Sequence, residues 1–135
     1  METFDDLVRI VAKLRSKEGC PWDREQTFVS LKKCLADEAD EVFQAIDAQD
    51  MENLCEELGD VLLQVVMNSQ IAAEKGLFTI EDVISGLCRK MVRRHPHVFG
   101  EAKASSPEES LRLWKQIKEQ EKKEKEKRVQ NSEKP

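Results

Sequence analysis

Two acidic stretches decide the fold: "LADEADEV" (Leu35–Val42) and "CEELGDVLLQVV" (Cys55–Val66), separated by the turn signal "DAQD" (Asp47–Asp50). Each stretch sets carboxylates among apolar residues that recur at helical spacing, which predicts an amphipathic helix. A short connection between two such helices makes them antiparallel neighbours. The sequence therefore predicts a helical hairpin that carries acidic side chains close to its apolar face.

Four of these carboxylates are predicted to converge. Glu38 and Glu41 are three residues apart, a spacing that leaves both on one face of a helix. The same spacing separates Glu57 from Asp60. Residues of an antiparallel hairpin face each other when they lie equally far from its turn, so with Gln49 at the centre Glu41 faces Glu57. Glu38 then faces Asp60, which completes a cluster of four.

The predicted cluster indicates a divalent metal site. Converging carboxylates repel one another unless protons or cations offset their charge. Oxygen ligands without nitrogen or sulfur suit Mg²⁺, with Mn²⁺ as a possible substitute. Di-iron bundles use Glu-x-x-His, and neither His95 nor His97 lies in that pattern. The alternative is a solvated acidic face, which is less expected because Glu57 and Asp60 lead into the most apolar helix.

The rest of the chain predicts three further helices. The first runs from about Phe4 to Ser16, the fourth starts after the cap Thr79 and ends near Arg94, and the fifth starts after the cap Ser106. "GCPWDREQT" and "HPHVFGEAKAS" are predicted to be a connector and a loop. The fourth helix is expected to face inward with Ile80, Val83, Ile84, Leu87 and Met91. We expect an all-α fold with a four-helix-bundle-like core and a shorter C-terminal helix.

Composition supports this class and limits the partners. Of 135 residues, 36% are charged and 5% aromatic, and the net charge of −5 argues against nucleic acid as a partner. The sequence lacks an apolar run long enough for a membrane span and the layout of a signal peptide, and its four cysteines form no CxxC pair. We expect a reduced, cytoplasmic protein with one domain over residues 1–122 and a charged tail over 123–135 that is a fraying helix or disordered.

At these residues the sequence resembles the MazG family of nucleoside triphosphate pyrophosphohydrolases. The pattern E-x-x-E, a hairpin, then E-x-x-D is joined by "GCPWDREQT", "RRHPHVFGE" and "WKQIKEQEK" in order, over about Leu7 to Lys122. The resemblance implies an enzyme that cleaves a nucleoside triphosphate between the α and β phosphates, giving a monophosphate and pyrophosphate. House-cleaning of non-canonical nucleotides is a candidate role.

The resemblance also implies roles for the acidic residues. Glu38, Glu41, Glu57 and Asp60 match the metal ligands of the family. Either Glu41 or Glu38 is expected to orient or deprotonate the attacking water, and the sequence does not choose between them. Asp37 departs from the family pattern, in which Glu is common, but the four ligands are intact.

Cations crowd the end of the fourth predicted helix. Lys90, Arg93 and Arg94 either complement the negative end of the helix dipole or bind the oxygens of a triphosphate. The match of "KMVRR" to the family favours nucleotide binding.

Two tryptophans and one lysine complete the predicted site. Trp114 either stacks on a nucleobase or packs in the apolar stripe of the fifth helix. The family places an equivalent tryptophan near the nucleotide, together with the lysine at Lys118. Trp22, in "CPWD", is expected to help wall the pocket.

One further expectation concerns assembly, and two alternatives concern activity. A single short bundle leaves the third helix poorly covered, so a homodimer or homotetramer is expected. A non-enzymatic helical interaction module is the rival from another class. A sibling hydrolase acting on dUTP, dCTP or phosphoribosyl-ATP is the closer rival, although "CPWD" and "RRHPHVFG" favour the MazG branch.

Overall fold

A computed structural model describes residues 1–133, and over these residues the secondary structure is helical. The seven helices are α1 (Phe4–Leu14), α2 (Pro21–Glu25), α3 (Phe28–Asp47), α4 (Met51–Glu74), α5 (Ile80–Arg94), α6 (Pro96–Phe99) and α7 (Pro107–Glu133). The predicted all-α class is confirmed. The short helices α2 and α6 occupy the predicted connector and loop. The last helix, expected to be shorter, has 27 residues and is the longest of the seven.

The helices begin where the capping signals predict. Thr3 and Asp6 form a reciprocal capping box at the start of α1. Asp50 accepts a hydrogen bond from the backbone N–H of Asn53 at 3.1 Å, which caps α4. At the start of α5 the hydroxyl of Thr79 accepts from the N–H of Asp82, while the carboxylate of Asp82 accepts from the N–H of Thr79. Local sequence therefore fixes these helix starts.

A three-residue turn joins α3 to α4. Gln49 adopts a left-handed conformation with φ of 54°, and the N–H of Asp50 donates to the carbonyl of Ala45 at 3.0 Å. This sharp reversal packs α4 antiparallel along α3. Leu31 and Met67, which lie equally far from Gln49 in sequence, meet in the same core cluster. The predicted hairpin, centred on Gln49, is confirmed.

The chain divides into two compact units, the first from Met1 to Val83 and the second from Ile84 onward. The core of the first unit contains one residue of α1, one of α3 and three of α4: Val11, Leu31, Val66, Met67 and Ile71. Helix α4 supplies most of the buried residues because it lies between α1 and α3. No helix of the described residues is long and apolar enough to cross a membrane.

The side chain of Arg15 fixes the connector after α1 and is only 7% exposed. Its guanidinium donates to the carboxylate of Glu74, from Nε at 2.9 Å and from Nη2 at 3.0 Å. Its Nη1 donates to the backbone carbonyls of Asp23 at 2.5 Å and Gln26 at 3.1 Å. In the same connector, a Cβ at Gly19 would lie 2.2 Å from the carbonyl oxygen of Lys13, so only glycine fits. These contacts hold α2 against the ends of α1 and α4.

One packing prediction was wrong. Of the apolar stripe on α5, only Ile80 is buried, whereas Val83, Ile84 and Leu87 are exposed. The first four residues of α5 belong to the first unit, and of these Ile80 alone is buried. The tail prediction is not tested: residues 123–133 continue α7, and residues 134–135 lie outside the described part.

Candidate metal centre and nucleotide site

The structure brings four carboxylates together on the α3–α4 hairpin. One carboxylate oxygen from each of Glu38, Glu41, Glu57 and Asp60 lies within 4.8 Å of the others. Glu41 is exposed and the other three are half-buried. The cluster forms because the three-residue spacing puts each pair on one face, and the turn sets the two pairs opposite each other. We call these four residues the carboxylate cluster.

Within residues 1–133, no ion pair involves a member of the carboxylate cluster. Glu38 Oε2 and Glu57 Oε2 are buried and have no hydrogen-bond partner in the part of the chain that the structure describes. Burial, followed by the nearby charges of Glu41 and Asp60, raises the pKa of Glu38. The pKa of Glu57 is raised to about 7. The main cause is a hydrogen bond with the carboxyl of Glu41, and the second is burial. The ionised carboxylates of the cluster therefore repel one another.

The neighbouring acids take no part in this cluster. Asp37 forms an ion pair with Lys33 at 2.8 Å, and Asp40 accepts a hydrogen bond from Gln44 at 3.1 Å. Glu56 is exposed. The α3–α4 hairpin thus separates four convergent carboxylates from three others that are paired or solvated.

The carboxylate cluster fits a divalent cation. Its donors are all oxygens, the ligand type that Mg²⁺ and Mn²⁺ prefer. Two of these oxygens are buried without a partner, and a cation would satisfy both. The separation of up to 4.8 Å between donor oxygens also suits ligands on one ion or on adjacent ions. The residues present therefore suit the metal that the sequence predicts.

In the second unit, cations and an aromatic ring come together. The guanidinium of Arg94 lies 5.4 Å from the ring centroid of Trp114, and the ammonium of Lys118 lies 4.8 Å from it. Both distances allow cation–π attraction. Trp114 lines a groove of about 710 Å³, within the size range of small-molecule sites. This arrangement offers positive charge beside an aromatic face, which is suited to a nucleotide.

The two arginines at the end of α5 share one acidic partner. The carboxylate of Glu121 accepts hydrogen bonds from Arg93 through Oε1 and from Arg94 through Oε2. Glu121 is not among the site residues predicted from the sequence, although its spacing from Trp114 and Lys118 along α7 puts all three on one helical stripe. We call Arg93, Arg94 and Glu121 the arginine–glutamate trio.

The remaining predicted contacts are less closely defined. Trp22 lies on α2 and is 60% exposed, so its ring is available to a ligand. Lys90 is half-buried and makes no hydrogen bond or ion pair with another residue among those described. The structure thus groups Arg93, Arg94, Trp114 and Lys118, and it leaves Trp22 and Lys90 as individual predictions.

The fold is all-α, and its α3–α4 hairpin carries four convergent carboxylates. Residues 26–99, just over half of the chain, match the family model described as the MazG nucleotide pyrophosphohydrolase domain. The chain belongs to the MazG family, and the resemblance stated from the sequence is confirmed.

Named relatives are similar over most of this chain. A Thermotoga maritima protein named nucleoside triphosphate pyrophosphohydrolase/pyrophosphatase MazG is 56% identical over 119 residues, covering 88% of this chain and 45% of its own length. An Escherichia coli K12 protein named nucleoside triphosphate pyrophosphohydrolase is 43% identical over 122 residues, covering 90% and 46%. The chain therefore spans about half the length, or less, of these curated relatives.

A solved structure is also similar. The crystal structure of a mazG-related protein from Thermotoga maritima matches with a TM-score of 0.71 and 31% identity, covering 85% of this chain and 98% of that one. The similarity extends over nearly all of the solved chain.

Proposed function

We propose that this protein is a Mg²⁺-dependent nucleoside triphosphate pyrophosphohydrolase, which converts a triphosphate and water to a monophosphate and pyrophosphate. The observation that carries the proposal is the convergence of four carboxylates, two of which have a buried oxygen without a hydrogen-bond partner among the described residues. Family membership and the names of the two relatives support the same reaction. House-cleaning of non-canonical nucleotides is a candidate role for this activity.

Glu38, Glu41, Glu57 and Asp60 would hold the metal. When bound, a divalent cation offsets the repulsion between these carboxylates and the triphosphate and polarises the attacked phosphate. The protein must also accept a proton from the attacking water. We favour Glu41 over Glu38 for this role, because Glu41 is the exposed member of the carboxylate cluster and the most accessible to water.

We propose that the nucleotide is bound by cations and aromatic rings. The guanidinium groups of Arg93 and Arg94 suit phosphate oxygens, since their planar donors match them in pairs. Trp114 presents a ring for stacking, flanked by Lys118. The full set of proposed contacts is Trp22, Lys90, Arg93, Arg94, Trp114 and Lys118.

Product analysis tests the reaction. The protein is incubated with Mg²⁺ and a panel of canonical and modified triphosphates, including dUTP, dCTP and phosphoribosyl-ATP, and the products are separated by chromatography. We expect a monophosphate and pyrophosphate in equal amounts. A diphosphate with orthophosphate would mean cleavage of the other bond. Turnover of dUTP, dCTP or phosphoribosyl-ATP alone would favour a sibling hydrolase.

We further propose a homodimer or homotetramer. Three apolar residues at helical spacing on α4, Leu58, Leu62 and Val65, are exposed in the single chain, and a second copy would bury them. Light scattering on the wild type and on Leu62→Glu tests this assembly, with Glu56→Gln as a control. We expect Leu62→Glu to lose the oligomer and Glu56→Gln to keep it. A monomeric wild type would contradict the proposal.

We propose a cytoplasmic location, in keeping with four cysteines that are free thiols. The rival proposal, a non-enzymatic interaction module, predicts no turnover and no effect of divalent metal on stability. The carboxylate cluster counts against it, because repulsion of this kind is a cost without function in a simple interaction surface.

A further inference from the structure

Glu121 makes contacts that differ from those of the other acids on α7. Its carboxylate bonds the Nε of Arg93 with one oxygen. With the other oxygen it bonds Arg94, at 3.2 Å to Nε and 2.9 Å to Nη2. The side chains of Glu121 and Arg94 are 21% and 13% exposed, so this pair is largely removed from solvent. One carboxylate therefore ties together two consecutive arginines.

These contacts leave the outer donors of both arginines available. Each guanidinium carries five N–H groups. Glu121 occupies the Nε edges, and the Nη1 groups of Arg93 and Arg94 have no hydrogen-bond partner within residues 1–133. Without Glu121, like charges on adjacent residues would repel and the two long side chains would regain rotamer freedom.

We propose that Glu121 is a positioning residue, which holds Arg93 and Arg94 in a fixed orientation so that their remaining N–H groups meet the phosphates of the substrate. This inference rests on the proposed function, since it needs the arginines to bind a triphosphate. The groove beside the arginine–glutamate trio also contains Trp114 and Lys118, so the fixed arginines lie next to other proposed nucleotide contacts.

The substitution Glu121→Gln separates positioning from simple charge. Removing a negative charge would by itself strengthen binding of an anionic triphosphate. Loss of positioning acts in the opposite direction, because a neutral amide holds two guanidinium groups less firmly than a carboxylate does. We expect the dissociation constant to rise by about fivefold to tenfold in Glu121→Gln. An unchanged or lower dissociation constant would overturn the proposal.

Calorimetry with α,β-methylene ATP and Mg²⁺ measures this constant without cleavage. Glu126→Gln is the matched control, because Glu126 lies exposed on the same helix and makes no ion pair with another described residue. Its dissociation constant should equal that of the wild type. If the wild type fails to bind the analogue, nucleotide recognition itself fails; if it binds and Glu121→Gln binds equally well, only the positioning role fails.

A double-mutant cycle tests whether Glu121 acts through the arginines. In an Arg93→Ala/Arg94→Ala background, Glu121→Gln should have no further effect on the dissociation constant. An equal loss in both backgrounds would contradict positioning and indicate a general effect on the fold. The melting temperatures of all variants show whether α7 remains folded. A purely structural role of Glu121 would lower the melting temperature of Glu121→Gln, but it would not raise the dissociation constant against the direction expected from the change in charge.

Discussion

At the scale of residues, the carboxylate cluster shows why charge and core occur in the same helices. Glu57 and Asp60 lie nine and six residues before Val66 on the same helix, and Val66 is buried in the core of the first unit. The packing of α4 against α3 therefore fixes the backbone that carries the acids. Rigid elements position ligands more accurately than loops do. The core thus holds the like charges close together despite their repulsion.

This repulsion predicts an effect of metal on stability. Without divalent metal, Glu57→Gln should melt several degrees above the wild type, because one of four converging charges is removed. Mg²⁺ should raise the melting temperature of the wild type and raise that of Glu57→Gln much less. Differential scanning fluorimetry with Mg²⁺ or a chelator measures both. Glu56→Gln, which alters an exposed acid outside the cluster, should behave as the wild type does.

At the scale of elements, helix ends set the geometry. The end of α4 is a Schellman motif: the N–H of Gly76 donates to Ala73 at 3.1 Å, and that of Leu77 donates to Ala72 at 2.9 Å. Gly76 has φ of 69°, which a residue with a Cβ adopts only with strain. This motif ends the helix that carries half of the carboxylate cluster.

Gly76→Ala should therefore lower the free energy of unfolding by about 1 kcal/mol. Gly86→Ala, in the middle of α5, should raise it by up to about 1 kcal/mol, because the added Cβ meets no atom within 4 Å and alanine favours helix. Urea unfolding of both variants measures the difference. Equal effects would contradict the assigned role of the left-handed cap.

The Arg15–Glu74 pair predicts a dependence on pH. The hydrogen bonds from Arg15 lower the pKa of Glu74 below its usual 4.5. A lowered folded-state pKa stabilises the protein above the unfolded-state value, and this contribution is lost as pH falls through the folded-state value. Glu74→Gln should therefore melt below the wild type at pH 7, and the difference should shrink as pH falls below 4.5 and through the lower folded-state pKa of Glu74. The control Glu18→Gln, at an exposed acid, should show no such convergence, and a constant difference for Glu74→Gln would contradict the linkage.

The sequence pattern was sufficient to predict those structural features that depend on residues close together in the chain. Helix caps, the turn at Gln49 and the convergence of the carboxylates all follow from spacings of a few residues. The bond from Arg15 to Glu74 spans 59 residues and has no such signal. Exposure of the α5 stripe was also not predictable, because apolar periodicity identifies a face without identifying what covers it. Glu121 had a signal in its helical spacing, but its arginine partners depend on how α7 packs.

At the scale of the whole molecule, the described chain leaves apolar surface exposed on several helices. The exposed positions include Leu58 and Leu62 on α4 and Leu87 on α5. Exposed apolar side chains at helical spacing on one helix, such as Leu58 and Leu62, are suited to an interaction surface. The exposure of Leu58 and Leu62 supports the proposed oligomer.

The end of α7 should be dispensable for activity. Residues 123–132 are almost entirely polar, and Val129 among them is exposed. Ending the chain at Lys122 retains Glu121 and should leave the rate of pyrophosphate release within about twofold of the full chain. A loss of tenfold or more would show that this part of α7 supports the site or the assembly.

The most direct test of the central claim is pyrophosphate release from nucleoside triphosphates, with Mg²⁺ or a chelator, by the wild type, Glu41→Gln and Asp40→Asn. Asp40 is the matched control, since it lies beside Glu41 and outside the carboxylate cluster. We expect the wild type and Asp40→Asn to release pyrophosphate only when Mg²⁺ is present. The rate of release should fall about 100-fold or more in Glu41→Gln. Release that persists without Mg²⁺ or in Glu41→Gln, or no release by any protein, would contradict the proposed metal-dependent hydrolysis.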